Sequence, residues 1–545
     1  MELIRLIGIL IIVIGFVLKL DTIAVVLIAG LATALVSGIT FTEFLTLLGE
    51  AFVSNRLVSI FFLTLPMIGL VERYGLRQQA TKLISGIKGL TPGRFLSIYM
   101  FARELAGFFS VRVYGHPQFI RPLVEPMSQS SVRAKYGEPT PNLREKIKAR
   151  SAAMENLGNF FCPKHLRCRL RCPFDCRDNG VFGLPSLSRQ CGPSFNPGSL
   201  DCFGFCFAFE LLTGPQNWPS LQGERATSAK RKRKRGLTME AVSEYLIEFF
   251  FVLTGLLMAY TGVRVVMDQN HPARFGTGLF WLILSATFAL GQVIPYEITG
   301  VLILIMGGLT LFNQVKIGPI TTASEEESKA HSDRLGNRIF IPVVSLALIA
   351  ILLTQFTPLD GQAGIGIASI LAILIGVLVT RSKFKTSLDE GDRMNRQVGT
   401  VGILPQLLAA LGVIFTTAGV GEVISSLISG IVPAGSPLLG VTAYVLGMVV
   451  FSMIMGNTFA AFTVITAGVG IPFVIAQGAD PVITGALAMT AGYCGTLMTP
   501  MAANFNALPV ALLEMDNPNS VIKEQVPYAL VMIVVHILLM YFWAF

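Results

Sequence analysis

Residues 450–479 read VFSMIMGNTFAAFTVITAGVGIPFVIAQGA, two apolar runs that meet at Gly456-Asn457-Thr458. Neither run alternates between apolar and polar residues, so the pattern predicts membrane helices and excludes the strands of a β-barrel. Between Val398 and Ala479 the only charged residue is Glu422. Apolar segments interrupted by Gly and Pro are typical of the discontinuous helices of secondary transporters. This region therefore predicts a membrane fold with broken helices.

The composition of the whole chain agrees with that prediction. Of 545 residues, 52% are hydrophobic and 14% are charged, against about 25% charged in an average soluble domain. We predict an all-α polytopic membrane protein with about 14–15 apolar helical segments, including discontinuous or re-entrant helices, since a bilayer admits only helices and closed barrels. The net charge of +9 is interpreted as loop Lys and Arg on the cytoplasmic side, without a nucleic-acid partner.

Two apolar blocks flank a segment of different composition. Residues 1–161 form the first membrane block and residues 239–545 the second, while residues 162–238 are rich in Cys, Arg and Pro. Seven of the eight cysteines lie in that segment, at Cys162, Cys168, Cys172, Cys176, Cys191, Cys202 and Cys206. Zinc sites typically use C-x2–4-C pairs, which these spacings match only loosely, and an odd number of cysteines cannot all form disulfides. We predict no metal site and keep a metal-binding or sensing segment as the alternative.

A shifted reading frame explains this composition better. Codons for Phe, Leu, Ile, Met and Val have T in the middle, so a frame read one base later begins with T and encodes Phe, Leu, Ser, Tyr, Cys or Trp. Residues 160–223 contain no Ile, Met or Tyr and a single Val. Our hypothesis is a one-base slip near codon 162 that joins two genes, the second starting at Met239. Residues 162–238 are then a disordered, out-of-frame linker.

In the first block, the candidate ligands surround the string GHPQFIRP, residues 115–122. Prolines stop a regular helix, and irregular backbone at membrane depth is buried in protein or lines a wet cavity. Arg121 is the preferred anion ligand, because a guanidinium can hold a carboxylate with two parallel hydrogen bonds. His116 and Gln118 are predicted to line the same site. A surface loop with a cytoplasmic Arg is the alternative.

Two further candidates lie on neighbouring helices of this block. Arg103, beside Glu104 in an apolar span, is a functional candidate because ionisable groups there are costly, and the alternative is an Arg–Glu pair that joins two helices. Asn156 and Asn159 share a helix face. They are predicted to bind a substrate or a cation, with an interhelical contact as the alternative.

In the second block, candidate ligands lie where helices break. The strings Gly456-Asn457-Thr458 and GTLMTPMAANFN, residues 495–506, place small, hydroxyl and amide residues between apolar runs. Free N–H groups at a half-helix N-terminus favour an anion, and freed carbonyls can hold Na⁺. We predict substrate contacts from Asn457, Thr458, Thr499 and Asn504, with simple helix packing as the alternative.

The chain lacks the motifs of common soluble enzymes and of ATP-driven pumps. We find no G-x-S-x-G, no H-E-x-x-H and no G-x-x-x-x-G-K-[ST], and the last of these would mark a phosphate-binding loop. We therefore predict a protein that is not an enzyme and has no cofactor, with Na⁺ or H⁺ as the coupling ion.

Specific strings in both blocks are similar to known families. Residues 65–73 (LPMIGLVER), the GHPQFIRP string and residues 148–153 (KARSAA) resemble the DUF969 family, and residues 239–545 resemble the DUF979 family. The chain is more distantly similar to the ion-transporter superfamily, in which paired re-entrant hairpins meet at a substrate site. The resemblance implies the two subunits of a bacterial 5-oxoproline transporter, fused into one chain.

That resemblance implies a function and a location. We expect a secondary transporter for a small carboxylate, 5-oxoproline, driven by an ion gradient in a bacterial inner membrane. The lipid bilayer and the substrate are the expected partners, the two blocks are expected to pack on each other, and a homo-oligomer is compatible with this picture. DUF969 proteins continue with further spans where this chain has residues 162–238, so a fusion unable to transport is the alternative.

Overall fold

The computed structural model describes residues 2–18, 20–85, 91–108, 116–160, 239–320, 323–357, 359, 361–429 and 436–545. The cysteine-rich segment, with its predicted frame slip, lies outside these residues. The described parts of the first block form helices α1 (Ile7–Val17), α2 (Thr22–Val36), α3 (Phe41–Ser54), α4 (Leu65–Arg73), α5 (Leu76–Ser85), α6 (Pro92–Phe108), α7 (Glu125–Tyr136) and α8 (Pro141–Phe160). Between these lie 3₁₀ helices at Glu2–Leu6 and Arg56–Thr64 and a π-helix at His116–Val124.

The second block continues with α9 (Met239–Met267), α10 (Arg274–Ala289), α11 (Tyr296–Leu311), α12 (Glu325–Leu335), α13 (Ile341–Phe356), α14 (Gly361–Thr380), α15 (Phe384–Val398), α16 (Leu404–Thr417), α17 (Val420–Ser429), α18 (Pro437–Met455), α19 (Thr458–Ile465), α20 (Ile471–Phe473), α21 (Pro481–Leu497), α22 (Ala507–Leu512) and α23 (Ser520–Ala544). Shorter turns are 3₁₀ at Gly336–Phe340, Gly399–Ile403 and Ile475–Gln477, and π at Thr466–Gly470. No strand occurs in the described ranges, which confirms the all-α prediction.

Several helical segments are long and apolar enough to cross a bilayer. Among the described residues there are six, Val242–Met267, Glu325–Thr354, Gly361–Thr380, Phe384–Thr417, Pro437–Met455 and Ser520–Ala544, and a seventh if the bent pair Phe41–Ser54 and Ser59–Arg73 is one span. Other apolar helices, such as Thr22–Val36 and Tyr296–Leu311, are shorter. The chain is therefore a multi-pass membrane protein in which part of the apolar sequence forms short or broken helices.

The bend between α3 and α4 is fixed by a buried arginine. Arg56 is 1% exposed and donates to the carbonyls of Val53 at 3.0 Å and Phe288 at 2.7 Å. Its guanidinium also pairs with Glu248 at 3.2 Å. A buried charge is tolerated when it is paired and hydrogen-bonded, so Arg56 ties the break in the first block to two helices of the second.

Close contacts between small residues join the two blocks into one helix bundle. A Cβ on Gly49 would lie 2.0 Å from the carbonyl oxygen of Tyr296, and a Cβ on Gly300 would lie 2.3 Å from that of Leu45. Helices α3 and α11 therefore approach at a distance that only glycine permits, as membrane helices often do. On the other side of the bundle, α4 packs along α15.

One end of the bundle is crowded with ion pairs. Arg73 contacts Glu390 at 3.0 Å and Arg393 contacts Glu72 at 3.3 Å, while Lys82 pairs with Asp333. Each of these pairs joins the first block to the second. Because cytoplasmic loops carry an excess of Lys and Arg, we predict that this charged end of the bundle faces the cytoplasm.

Candidate functional site

A cavity of about 160 Å³ lies between the first block and the irregular segment before α22. Its lining consists of Phe61, Arg103, His116, Pro117, Glu155, Asn156, Asn159, Asn504, Phe505 and Leu508. Five sequence-predicted ligands therefore meet here: Arg103, His116, Asn156, Asn159 and Asn504. This volume is below the roughly 300–1,000 Å³ of pockets that hold drug-sized ligands, so the space suits a small ligand.

The charged part of the cavity is one ion pair between α6 and α8. Arg103 Nε donates to Glu155 Oε1 at 3.0 Å and Oε2 at 3.2 Å, and Arg103 Nη2 donates to Asn159 Oδ1 at 3.1 Å. The Tyr99 hydroxyl donates to Glu155 Oε2 at 2.5 Å. Both charged side chains are about 5% exposed or less. This is the Arg–Glu pair that the sequence offered as the alternative for Arg103.

A chain of buried amides runs from this cavity into the second block. His116 Nε2 lies 2.9 Å from Asn156 Oδ1, and Asn156 Nδ2 donates to the carbonyl of Phe505 at 2.8 Å and to Gln525 Oε1 at 2.7 Å. The Phe505 carbonyl can only accept, which places the NH₂ of Asn156 toward it and Oδ1 toward the imidazole. His116 therefore carries its proton on Nε2. Its Nδ1 is a buried acceptor with no partner in the described structure.

The amide chain ends at a helix break. Gln525 Nε2 donates to Asn506 Oδ1 at 2.8 Å, and Asn506 Nδ2 donates to the carbonyls of Thr496 at 2.9 Å and Thr499 at 2.6 Å. These two carbonyls belong to the end of α21 and the turn after it, where intrahelical donors are missing. Gln525 and Asn506 thus stabilise an irregular backbone next to the cavity.

The two broken segments of the second block touch each other. Gly456 has a φ of +63°, and a Cβ there would lie 2.3 Å from the carbonyl oxygen of Met501. The Thr499 hydroxyl donates to the carbonyl of Met453 at 2.8 Å, in the last turn of α18. The two strings that predicted helix breaks from sequence are therefore in direct contact.

Beside this contact lie two buried hydroxyl groups that lack partners in the described structure, on Ser452 and Thr458. Both side chains border Gly492, where an added Cβ would lie 2.9 Å from Ser452 Oγ and 2.4 Å from Thr458 Cγ2. Thr458, Thr499 and Asn457 are not part of the 160 Å³ cavity lining as described. These three residues lie at the helix breaks. Of the four candidates from the second block, Asn504 is the one found in the described lining of the cavity.

Arg121, the preferred anion ligand from sequence, lies outside that cavity. It is 1% exposed, and its Nε donates to Glu72 Oε1 at 2.6 Å while Nη2 donates to Oε2 at 3.1 Å. Its Nη1 donates to the carbonyl of Leu512. Arg121 was predicted to bind a substrate carboxylate through two parallel hydrogen bonds. In the structure it makes these two bonds to Glu72. The side chain of Gln118 is outside the described residues.

Arg121 borders a second, larger cavity of about 520 Å³ at the charged end. Seven basic residues line it: Arg73, Arg77, Arg121, Arg133, Arg144, Lys148 and Arg393. Glu125, on α7 outside the candidate membrane spans, is buried in this lining, and burial raises its pKa although Arg77 and Lys148 act in the opposite direction. Glutamates such as Glu72 and Glu390 also line it, so this larger cavity carries charges of both signs.

Sequence reasoning missed part of this site. Gln525, just before the last apolar run, was not among the predicted ligands. Glu72 was noticed only as part of a family string. No local signal distinguishes either residue, since each acquires its role from a partner distant in sequence. Glu155 was not among the predicted ligands either, and its pairing with Arg103, 52 positions away, was not predicted.

The described residues contain no group of three or more His, Cys, Asp or Glu that is placed to hold a metal ion. Cys494, in α21, is a buried free thiol. The other seven cysteines lie outside the described residues, so the alternative of a metal-binding segment stays a prediction.

Two family models match the chain. DUF979, described as a protein of unknown function, matches residues 248–545, a little more than half of the chain. DUF969, also described as a protein of unknown function, matches residues 3–166. No curated protein matches the chain. The two matched ranges follow the two apolar blocks.

Proposed function

We propose that this chain, which belongs to the DUF979 family and carries a DUF969 segment ahead of it, is a secondary transporter for a small carboxylate, 5-oxoproline. The observation that supports this most is the cavity between the blocks, which combines a buried arginine with neutral polar groups. A buried ionisable residue in a membrane protein is a functional candidate. A small polar cavity next to broken helices is the expected setting of a carrier site.

The cavity offers partners for each polar group of 5-oxoproline, a lactam with one carboxylate. A guanidinium has five N–H donors, and the bonds of Arg103 to Glu155 and Asn159 use two of them. A substrate carboxylate can compete with Glu155 for this guanidinium. The unpartnered acceptor His116 Nδ1 suits the lactam N–H, and the amide of Asn504, a lining residue, suits the lactam carbonyl.

An ion gradient is proposed to drive transport by alternating access. Broken helices at a midplane site provide freed carbonyls and half-helix ends on which carriers bind Na⁺, and the unpartnered hydroxyls of Ser452 and Thr458 lie at such a break. Protons are the other option, because Glu155 and His116 line the cavity. The proposed location is a bacterial inner membrane, with no cofactor beyond the coupling ion.

A membrane enzyme is the competing class, because Arg103, His116 and Glu155 meet in one cavity. Both oxygens of Glu155 already accept hydrogen bonds, so the carboxylate is engaged rather than poised for catalysis. The described lining holds no Ser, Thr, Cys or Lys that could act as a nucleophile. These features favour a binding site without catalytic chemistry, and we propose a carrier.

The direct test is uptake of labelled 5-oxoproline by membrane vesicles that contain the full chain. Saturable uptake that collapses with an ionophore is expected, and Arg103→Gln should abolish it. Arg150→Gln is the matched control, because Arg150 lies on α8, is 52% exposed and pairs with Glu524 outside the cavity. A parallel arm expresses the two blocks from separate, repaired reading frames. Absence of uptake in both arms rules out 5-oxoproline transport, whereas uptake only in the repaired arm identifies an inactive fusion.

A further inference from the structure

The small cavity is electrically balanced before any ligand enters. Arg103 and Glu155 are its only residues of opposite charge in the described lining, and they contact each other at 3.0 Å. The remaining titratable member, His116, donates through Nε2, and burial lowers the pKa of its imidazole, which favours the neutral form. The second block contributes only uncharged residues, Asn504, Phe505 and Leu508.

A carboxylate ligand changes this balance. With one more negative charge, the cavity would hold two carboxylates and one guanidinium, all removed from water. An isolated buried charge is costly, and when two carboxylates share a site one of them favours the protonated form. A cation must therefore enter with the ligand, or a buried carboxylate must take a proton.

Glu155 is placed to be that proton acceptor. Its carboxylate occupies the face of Arg103 through which a substrate carboxylate would bind, at 3.0 and 3.2 Å from Nε. The Tyr99 hydroxyl at 2.5 Å supports either form, because a hydroxyl can donate to a carboxylate or accept from a carboxylic acid. The charged or titratable groups that face Glu155 are Tyr99 and Arg103 from α6 and His116 from the π-helix.

We propose, on the basis of the proposed function, that Glu155 couples transport to protons by exchanging places with the substrate on Arg103. The substrate carboxylate takes the guanidinium, and Glu155 accepts one proton from a hydronium ion at a carboxylate oxygen. One O–H bond forms on Glu155 and one O–H bond of the donating hydronium ion breaks, which leaves a water molecule; no other covalent bond changes. One proton and one carboxylate then move together, and the loaded cavity is as neutral as the empty one.

The test measures proton uptake when unlabelled 5-oxoproline binds to the purified full chain in weakly buffered, Na⁺-free choline solution. Wild type should take up about one proton per bound molecule, and affinity should fall as pH rises, by about tenfold per pH unit for one coupled proton. Glu155→Gln should bind with no proton uptake and no such pH dependence. Glu145→Gln is the matched control on the same helix, outside the lining, and should behave as wild type.

The possible results separate the role of Glu155 from the identity of the substrate. Wild-type binding without proton uptake, binding that requires Na⁺, or unchanged uptake in Glu155→Gln overturns the role of Glu155 and leaves the carrier proposal standing. No binding of 5-oxoproline to wild type overturns the substrate proposal itself. If Glu155→Gln does not fold, infrared difference spectra of wild type decide the point, because ligand binding must produce a carboxylic-acid band that Glu155→Asp retains at a shifted position. Absence of that band overturns the proposal.

Discussion

Arg121 and Glu72 form a buried two-pronged ion pair, with Arg121 Nε 2.6 Å from Glu72 Oε1 and Nη2 3.1 Å from Oε2. The pair joins the π-helix to the end of α4, and Arg393 of the second block also contacts Glu72 at 3.3 Å. It lies where the first block meets the charged end of the second. Arg121 therefore lies at the junction of the two blocks and is positioned to stabilise their contact.

Removing one member of this pair is expected to destabilise the protein. Glu72→Gln leaves Arg121, which is 1% exposed, with only a 3.3 Å contact to the half-exposed Glu514 as counter-charge, and breaking a buried pair costs about 3–5 kcal/mol. The free energy of unfolding in detergent measures this. Arg133→Gln is the control, because Arg133 pairs with Glu138 at the surface and such pairs contribute about 1 kcal/mol or less. If Arg121→Gln left stability unchanged and removed only substrate binding, Arg121 would be the anion ligand predicted from sequence.

Glu125 is expected to make stability depend on pH. Burial raises the pKa of this carboxyl above 4.5, so the folded protein binds its proton more tightly than the unfolded chain. The stabilising contribution is present below the unfolded pKa and is lost as pH rises through the folded pKa. The unfolding temperature of the wild type should therefore fall as pH rises from mildly acidic to neutral values. In Glu125→Gln this fall should be smaller. Glu138→Gln, at a side chain that is 72% exposed, should leave the profile unchanged, and an unchanged profile in Glu125→Gln as well would contradict the prediction.

The contact between the two helix breaks predicts a strict requirement at Gly456. Its φ of +63° disfavours any residue with a Cβ, by about 1–2 kcal/mol, and the added atom would collide with the carbonyl of Met501 at 2.3 Å. Gly456→Ala should lower the unfolding temperature and abolish uptake. Gly308→Ala, in α11 where an added Cβ meets nothing within 4 Å, should be tolerated. Normal uptake in Gly456→Ala would contradict this prediction, because it would show that the close contact between Gly456 and the carbonyl of Met501 is not required.

Local composition was enough to predict some of this structure but not its polar partnerships. The breaks at Gly456 and Thr499 were predicted because a helix break depends on Gly and Pro residues that are neighbours in the sequence. The grip of Arg121 on Glu72 spans 49 positions, and the bond from Asn156 to Gln525 spans 369. Which buried donor meets which acceptor is decided by helix packing between blocks, and a sequence pattern contains no information on that geometry. For the same reason the cavity contains Arg103, while Arg121 lies elsewhere.

The hydrogen bonds between the blocks predict that the two halves assemble without residues 161–238. Asn156 donates to Gln525 at 2.7 Å and Gln406 donates to the carbonyl of Phe52 at 2.7 Å. Each half alone would expose or orphan these buried groups, at about 1–3 kcal/mol for each unsatisfied group. Residues 1–160 and 239–545, expressed as separate chains, should copurify from detergent, and residues 1–160 alone should aggregate. Gln525→Leu should weaken copurification, whereas Asn517→Leu, at a side chain in the exposed turn before α23, should not. Stable, monodisperse residues 1–160 on their own would show that the blocks fold independently.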